Sequence, residues 1–345
     1  MPEISKLLEA VASGENLDSG TVAEIFRGIM DGDLTHAQTA AFLVAMRIKG
    51  ETPEELTGAV KAMISRARTI EGARENTVDL CGTGGDSKGT FNISTTASFI
   101  TAGAGVPVAK HGNRSVSSPV GSADVLEAAG VKIDMDERAA KKCLESAGIT
   151  FLFAPVFHPS MKNVAPVRKE MGIRTAFNIL GPMANPALVK RQVIGVPSVE
   201  IKEKIVNTCK GLGLNRCMVV HGKDGMDEIT VTAETEVSEL CSDGSVKHYS
   251  ISPEDFGIKK SPAAELLGGA NASENAAIMT AVLENRRSGA KKDAALLNAA
   301  AAIYVSEQHG DMKAAFASAR ESLESGAALA KFRQLIETSS AEGKN

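Results

Sequence analysis

The sequence predicts an α/β protein: a small N-terminal helical domain, then a larger α/β domain with a mostly parallel central sheet. Three observations carry this. Residues 1–70 hold only helical patterning. From Thr77 onward, short apolar runs alternate with helix-like segments, the signature of parallel strands covered on both faces. The chain has 345 residues, more than one core of roughly 250–300 residues sustains.

The helical elements come first. Asp18 or Ser19 caps a segment running to Met30. Thr35 and Gln38 form a capping-box pattern before an apolar run that ends near Lys49-Gly50. Thr52-Pro53-Glu54-Glu55 is a stronger start, with an N-cap threonine, proline at the first helical position and glutamate at the third. Leu56, Val60, Met63 and Ile64 then follow helical spacing. Ile70 to Asn76 reads as a charged linker.

Strands are expected at Thr77–Cys81, Val106–Ala109, Ile149–Ala154, Gln192–Val196 and Cys217–His221. Helices are expected at Phe91–Gly103, Ser122–Gly130, Glu137–Gly148 and Val199–Leu212. Residues 229–251 read as shorter strands turning at Ser242-Asp243-Gly244. Ala272–Leu335 is Ala-rich and helical, broken near Ser288-Gly289 and His309-Gly310. Residues 158–186 interrupt the alternation. His158–Glu170 is helix-like despite Pro166, and turns follow at Phe177–Pro182 and Asn185-Pro186. Such a segment suits a crossing between lobes.

Composition excludes several classes. The net charge of −4 and the lack of a basic tail argue against nucleic-acid binding. No apolar run reaches the roughly 18 residues of a membrane span. Met1 to Lys6 lacks the basic start and apolar stretch of a signal peptide. The five cysteines, Cys81, Cys143, Cys209, Cys217 and Cys241, are scattered without a C-x-x-C pair. They read as reduced thiols of a cytoplasmic protein.

Chemistry concentrates between residues 82 and 114. Gly82-Thr83-Gly84-Gly85-Asp86 lets backbone amides converge on an anion with no side chains in the way. It matches neither the dinucleotide G-x-G-x-x-G nor the Walker loop. Asn92-Ile93-Ser94-Thr95 opens a helix whose first amides and dipole favour phosphate, and a serine oxygen can ligate magnesium. Lys110-His111-Gly112-Asn113-Arg114-Ser115 follows the second expected strand and offers two cations at a parallel strand's carboxyl end. Further on, Asp227 and Glu228 in His221–Glu228 are oxygen ligands of the kind magnesium takes. Arg168 suits a bidentate carboxylate contact. Taken singly, each motif also reads as ordinary structure: a tight turn, an N-cap, a solvated basic or acidic turn, a surface salt bridge. Together they ask for a ligand with more than one phosphate group.

In combination and order, these segments closely resemble the anthranilate phosphoribosyltransferase family. The resemblance rests on Gly82–Asp86, Thr90–Thr95, Lys110–Ser118, Gly121–Asp124, Arg168, Asn178-x-Leu180-Gly181-Pro182 and His221–Glu228, and spans nearly the whole chain. It implies a helical domain of residues 1–70 that receives helices from about 158–186. Residues 77–157 and 187–345 would then form the α/β domain. It implies that Gly82, Gly85, Asp86, Thr90, Asn92, Ile93, Ser94, Thr95, Lys110, His111, Gly112, Asn113, Arg114, Ser115, Val116, Ser117, Ser118 and Ser122 line a phosphoribosyl pyrophosphate site. Gly82, Asn113 and Arg168 would contact anthranilate, with His111 and Pro182 shaping its path. Two magnesium ions are implied, one at Ser94 and one at Asp227 with Glu228. A homodimer through the helical domain is implied as well.

The reaction so implied moves the phosphoribosyl group from phosphoribosyl pyrophosphate to the amine of anthranilate, in tryptophan biosynthesis. An aromatic amine keeps a free lone pair near neutral pH. No strong general base is needed, and no convincing nucleophile–base triad can be built from the sequence. Lys110 would act electrostatically. Two rivals remain at this stage: a pyrimidine nucleoside phosphorylase with the same two-lobed plan, and a non-catalytic relative that binds nucleic acid. The joint presence of Lys110–Arg114 and Asp227-Glu228 weighs against the first, and the net charge against the second.

Overall fold

The computed structural model describes residues 4–114 and 120–341. Four helices open the chain: α1 (Ile4–Ala12), α2 (Ser19–Asp31), α3 (His36–Lys49) and α4 (Pro53–Ser65). The expected caps set their starts. Asp18 accepts the amides of Gly20 and Thr21, and Thr35 with Gln38 and Thr52 with Glu55 complete reciprocal capping boxes. Glu55 also works in tertiary structure. Fully buried, it accepts the Leu17 amide at 2.9 Å and pairs with Lys49 at 2.8 Å, tying α4 to α3 and to the segment before α2.

A seven-stranded sheet follows, in the order β3-β2-β1-β4-β5-β6-β7. β1 (Val78–Gly82), β2 (Val108–Gly112), β3 (Ile149–Phe153), β4 (Arg191–Gly195) and β5 (Arg216–Gly222) run parallel. β6 (Thr235–Leu240) and β7 (Val246–Ile251) add an antiparallel edge. The helix-plus-parallel-sheet class expected from the sequence is therefore the observed one.

Helices make the crossovers. α5 (Ile93–Gly103) links β1 to β2, and α6 (Ser122–Ala128) and α7 (Glu137–Ala147) link β2 to β3. Between β3 and β4 come α8 (Ala154–Phe157), α9 (Met161–Met171), α10 (Phe177–Leu180) and a 3-10 turn at Gly181–Ala184. α11 (Val199–Gly211) links β4 to β5. The chain closes with α12 (Ala272–Leu283), α13 (Ala290–Val305), α14 (Met312–Glu324) and α15 (Ala327–Ser340). Among the described residues, no helix is long and apolar enough to cross a membrane.

Strand alternation divides the core in two. Val193, Met218 and Val220 face one side, with α5, α13 and α15; Ile194, Cys217 and Val219 face the other. That second side packs on α11 and on the opening helices through Phe26, Leu56 and Val60, so the N-terminal helices share a core with one sheet face. α9 leans on α2 and α3, where Asn163 donates to the Met30 carbonyl at 2.7 Å.

Three details differ from the expectations. The second strand runs Val108–Gly112, not Val106–Ala109, because its ladder to β3 pairs Val108 with Ile149 through Gly112 with Phe153. Pro107, lacking an N–H, stays outside. Lys110, His111 and Gly112 are consequently strand residues. The first strand, read as an apolar run, has the fully buried carboxylate Asp79 at its centre. The C-terminal helical stretch has a third break, at Gly326, whose φ of 80° ends one helix and starts the next.

Candidate active site

Four of the five parallel strands end on glycine: Gly82, Gly112, Gly195 and Gly222. Their carboxyl ends lie at one edge, and the order of connection reverses between β1 and β4, where open α/β sheets bind ligands. Side chains are absent here for a steric reason. A Cβ on Gly195 would sit 1.6 Å from the Asp227 carbonyl oxygen, and one on Gly82 would sit 2.7 Å from Asp227 Oδ2. The acidic loop after β5 thus lies directly on the glycine ends of β1 and β4.

Three distant segments converge on that loop. Asp227 Oδ2 accepts the Gly84 amide at 2.9 Å, and Glu228 Oε1 accepts the Ser94 amide at 3.2 Å. Lys110, buried in β2, donates Nζ to the Leu80 carbonyl and lies 3.4 Å from Ser94 Oγ. Glycine loop, first turn of α5, β2 lysine and acidic loop therefore form one crown.

The electrostatics are those of a site built for more than protein. Burial pushes the Glu228 carboxyl up to about 7. Burial, then Glu228 and Asp86, hold Asp227 well above the usual carboxylate range. Asp86 Oδ2 and Asn92 Oδ1 are buried with no partner among the described residues, a cost that a ligand or cation would relieve. Magnesium fits: it takes hard oxygens and is usually held by one or two carboxylates plus substrate phosphates. Among the described residues no group of three His, Cys, Asp or Glu forms a complete cage.

Gly85 has φ 91°, and a Cβ there would lie 2.2 Å from the Arg174 guanidinium, which donates to the Gly85 carbonyl at 3.1 Å. Arg174 in turn offers its own carbonyl to Arg47 Nη1 of α3 at 2.6 Å. The glycine loop is thereby strapped to the helical part through one arginine.

On the other flank, His111 and His158 sit with ring centroids 5.1 Å apart. His111 Nδ1 faces the Gly181 carbonyl at 3.1 Å, and His158 Nε2 faces the Ala184 carbonyl at 3.0 Å. Burial, then the neighbouring His158, lowers His111 to about 3; burial lowers His158 to about 4. Both rings are neutral near pH 7. The nitrogens facing carbonyls carry the hydrogens, leaving His111 Nε2 as a buried acceptor with no partner among the described residues. Arg168 lies 5.9 Å over the Phe177 ring, and no carboxylate pairs with it among the described residues. Pro182 stands in the same 177–182 turn, its carbonyl bonded by Gln192 Nε2 at 2.8 Å. His111 and Arg168 thus reach one turn from two directions.

The remaining positions vary. Thr90 bridges to Leu267, and Ser122 Oγ donates to the Asn113 carbonyl at 3.3 Å. A Cβ on Gly112 would meet Ser122 Oγ and the Phe151 ring. Asn113 Oδ1 accepts the Arg114 amide at 2.7 Å. Ile93 and Thr95 bury their side chains, so the α5 start offers amides there. Arg114, offered by the sequence as a phosphate cation, instead pairs with Asp124 and Glu127 at 2.8 Å on α6. Ser115, Val116, Ser117 and Ser118 lie outside the described residues.

Sequence reasoning missed Asp79, which underlies the crown. Its carboxylate accepts the His111 amide at 3.2 Å and Asn185 Nδ2 at 2.8 Å, and burial raises its pKa. The available signal was a charged residue at the centre of an apolar strand, which must be bonded to persist there.

Fold and crown define a glycosyl transferase. The helical bundle model of that family matches residues 5–67 and its a/b domain model residues 74–329. The anthranilate phosphoribosyltransferase of Anaeromyxobacter dehalogenans is 49% identical, covering 96% of each chain. The solved anthranilate phosphoribosyltransferase of Thermus thermophilus superposes with a TM-score of 0.90 at 38% identity, covering 96% of this chain and 98% of that one. The Saccharomyces cerevisiae enzyme, solved in complex with PRPP and Mg, gives a TM-score of 0.89 at 26% identity over 98% of both chains. It has also been solved with 4-fluoroanthranilate. The chain belongs to the anthranilate phosphoribosyltransferase family.

Proposed function

We propose that this chain transfers the phosphoribosyl group of 5-phosphoribosyl 1-pyrophosphate to the amine of anthranilate. The products are N-(5-phosphoribosyl)anthranilate and pyrophosphate, in tryptophan biosynthesis. The observation that carries this reading is the crown, where Gly84 and Ser94 donate to Asp227 and Glu228 and Lys110 lies against Ser94. The yeast relative's complexes with PRPP and Mg and with 4-fluoroanthranilate name the same two kinds of ligand.

The donor lies on Gly82, Gly85, Asp86, Thr90 and the α5 start, with Lys110, Asn113 and Ser122 beside it. Ser94, Asp227 and Glu228 would hold two magnesium ions, which would supply positive charge against the pyrophosphate leaving group. Lys110 adds fixed positive charge in a buried site, where it acts more strongly than in water. Arg168 takes the anthranilate carboxylate. The neutral His111 is too weak a base to matter near pH 7, and its free Nε2 accepts a hydrogen bond from the amine. Catalysis rests on alignment and electrostatics.

The helical part, where Ile48 is exposed on α3, provides a homodimer surface, which sedimentation of Ile48→Asp against wild type tests. The free cysteines suit the reducing cytoplasm. The function is tested by mixing protein, anthranilate, 5-phosphoribosyl 1-pyrophosphate and magnesium, and following anthranilate fluorescence. The signal falls only when all are present. A constant signal beside an active control enzyme contradicts the reading.

A further inference from the structure

Ile229 directly follows Glu228, and one side chain grips it from both ends. Asn298, buried in the middle of α13, accepts the Ile229 amide through Oδ1 at 3.0 Å and donates Nδ2 to the Ile229 carbonyl at 2.9 Å. The second Nδ2 hydrogen goes to Ala294, one turn back in its own helix, at 2.9 Å. Only an amide of this length both accepts and donates here. Aspartate has no hydrogen to give, and leucine leaves two backbone groups unpaired.

The loop's other shoulder is held by Asp224. It accepts the Met226 amide at 3.1 Å, the Thr230 hydroxyl at 2.7 Å and the Thr232 hydroxyl. Asp227 and Glu228 lie between these two anchors, close to Asp86. Their own bonds run to the Gly84 and Ser94 amides, so the placement of the loop backbone decides whether both carboxyl groups face the same point. Holding such a group ready for a ligand falls to the surrounding structure.

We propose that Asn298 is a positioning residue that pins the acidic loop, so that Asp227 and Glu228 are presented together to a divalent cation before it arrives. The inference rests on the metal role proposed above. Asn298 acts through the backbone of Ile229. Its effect is confined to the geometry of the loop.

The test uses Mn2+ in the presence of 5-phosphoribosyl 1-pyrophosphate, followed by water-proton relaxation on wild type, Asn298→Ala and Asn298→Ser. Loss of such a supporting bond typically weakens metal binding about tenfold or more. The variants therefore bind Mn2+ at least ~10-fold more weakly, while the KM for anthranilate stays within about twofold. Unchanged Mn2+ affinity in the variants, with wild type binding normally, overturns the inference alone. Wild type that fails to bind Mn2+ overturns the metal reading beneath it. Hydrogen exchange on metal-free wild type gives a test that needs no variant: the Ile229 amide exchanges slowly, and fast exchange there contradicts the pin.

Discussion

Glu228 Oε1 accepts the Ser94 amide at 3.2 Å, joining the loop after β5 to the first turn of α5. A carboxylate at a helix N-terminus is favourable, yet here burial outweighs that and raises Glu228 to about 7 from an ordinary 4.5. The Glu228 carboxyl thus combines a contact that favours its ionised form with a burial that favours its neutral form.

This has a pH signature. The folded protein holds the Glu228 proton more tightly than the unfolded chain does. The resulting stability is complete below about pH 4.5 and is lost as pH rises through about 7. The change amounts to roughly 3 kcal/mol at most, taking 1.36 kcal/mol per pKa unit. Without divalent cations, Tm falls between these values in wild type, and the fall is smaller in Glu228→Gln. Identical profiles for the two proteins would remove Glu228 as the cause.

Gly195→Ala tests the floor of the crown. The added methyl would meet the Asp227 carbonyl carbon and oxygen, both backbone atoms that cannot rotate away. Activity falls by about 100-fold or more, the scale of a ~1 Å misplacement in a site, with an unchanged far-ultraviolet circular dichroism spectrum. Near-wild-type turnover would mean that the acidic loop need not rest there.

Arg168→Ala raises the KM for anthranilate by roughly 10- to 100-fold, the value of a hydrogen bond to a charged group. The KM for 5-phosphoribosyl 1-pyrophosphate stays nearly constant. Steady-state kinetics with each substrate varied in turn measures both. Equal rises for the two substrates would count against carboxylate recognition by Arg168.

Asp79→Ala removes the acceptor for the His111 amide and for Asn185 Nδ2. Unpaired buried groups cost about 1–3 kcal/mol each, so urea denaturation loses on the order of 3 kcal/mol. A loss below about 1 kcal/mol would show that the network repairs itself.

Much of this was legible in the sequence, for physical reasons. Caps at Asp18, Thr35 and Thr52 are local chemistry, and they set the helix starts. The parallel sheet was legible because strands buried on both faces read as short apolar runs. The end of β2 was not, because Lys110 and His111 look like loop residues until Asp79, Leu80 and Gly181 supply their partners. Asn298 was invisible in the same way. Its partner, Ile229, lies far away in sequence, and nothing local marks an asparagine as a backbone clamp.

The most direct measurement of the central claim is phosphorus NMR of a reaction held at pH 7.5 with magnesium, anthranilate and 5-phosphoribosyl 1-pyrophosphate. Transfer from the crown predicts one pyrophosphate released per anthranilate consumed, and none when anthranilate is omitted. Pyrophosphate release independent of anthranilate, or none with both substrates present, would contradict it.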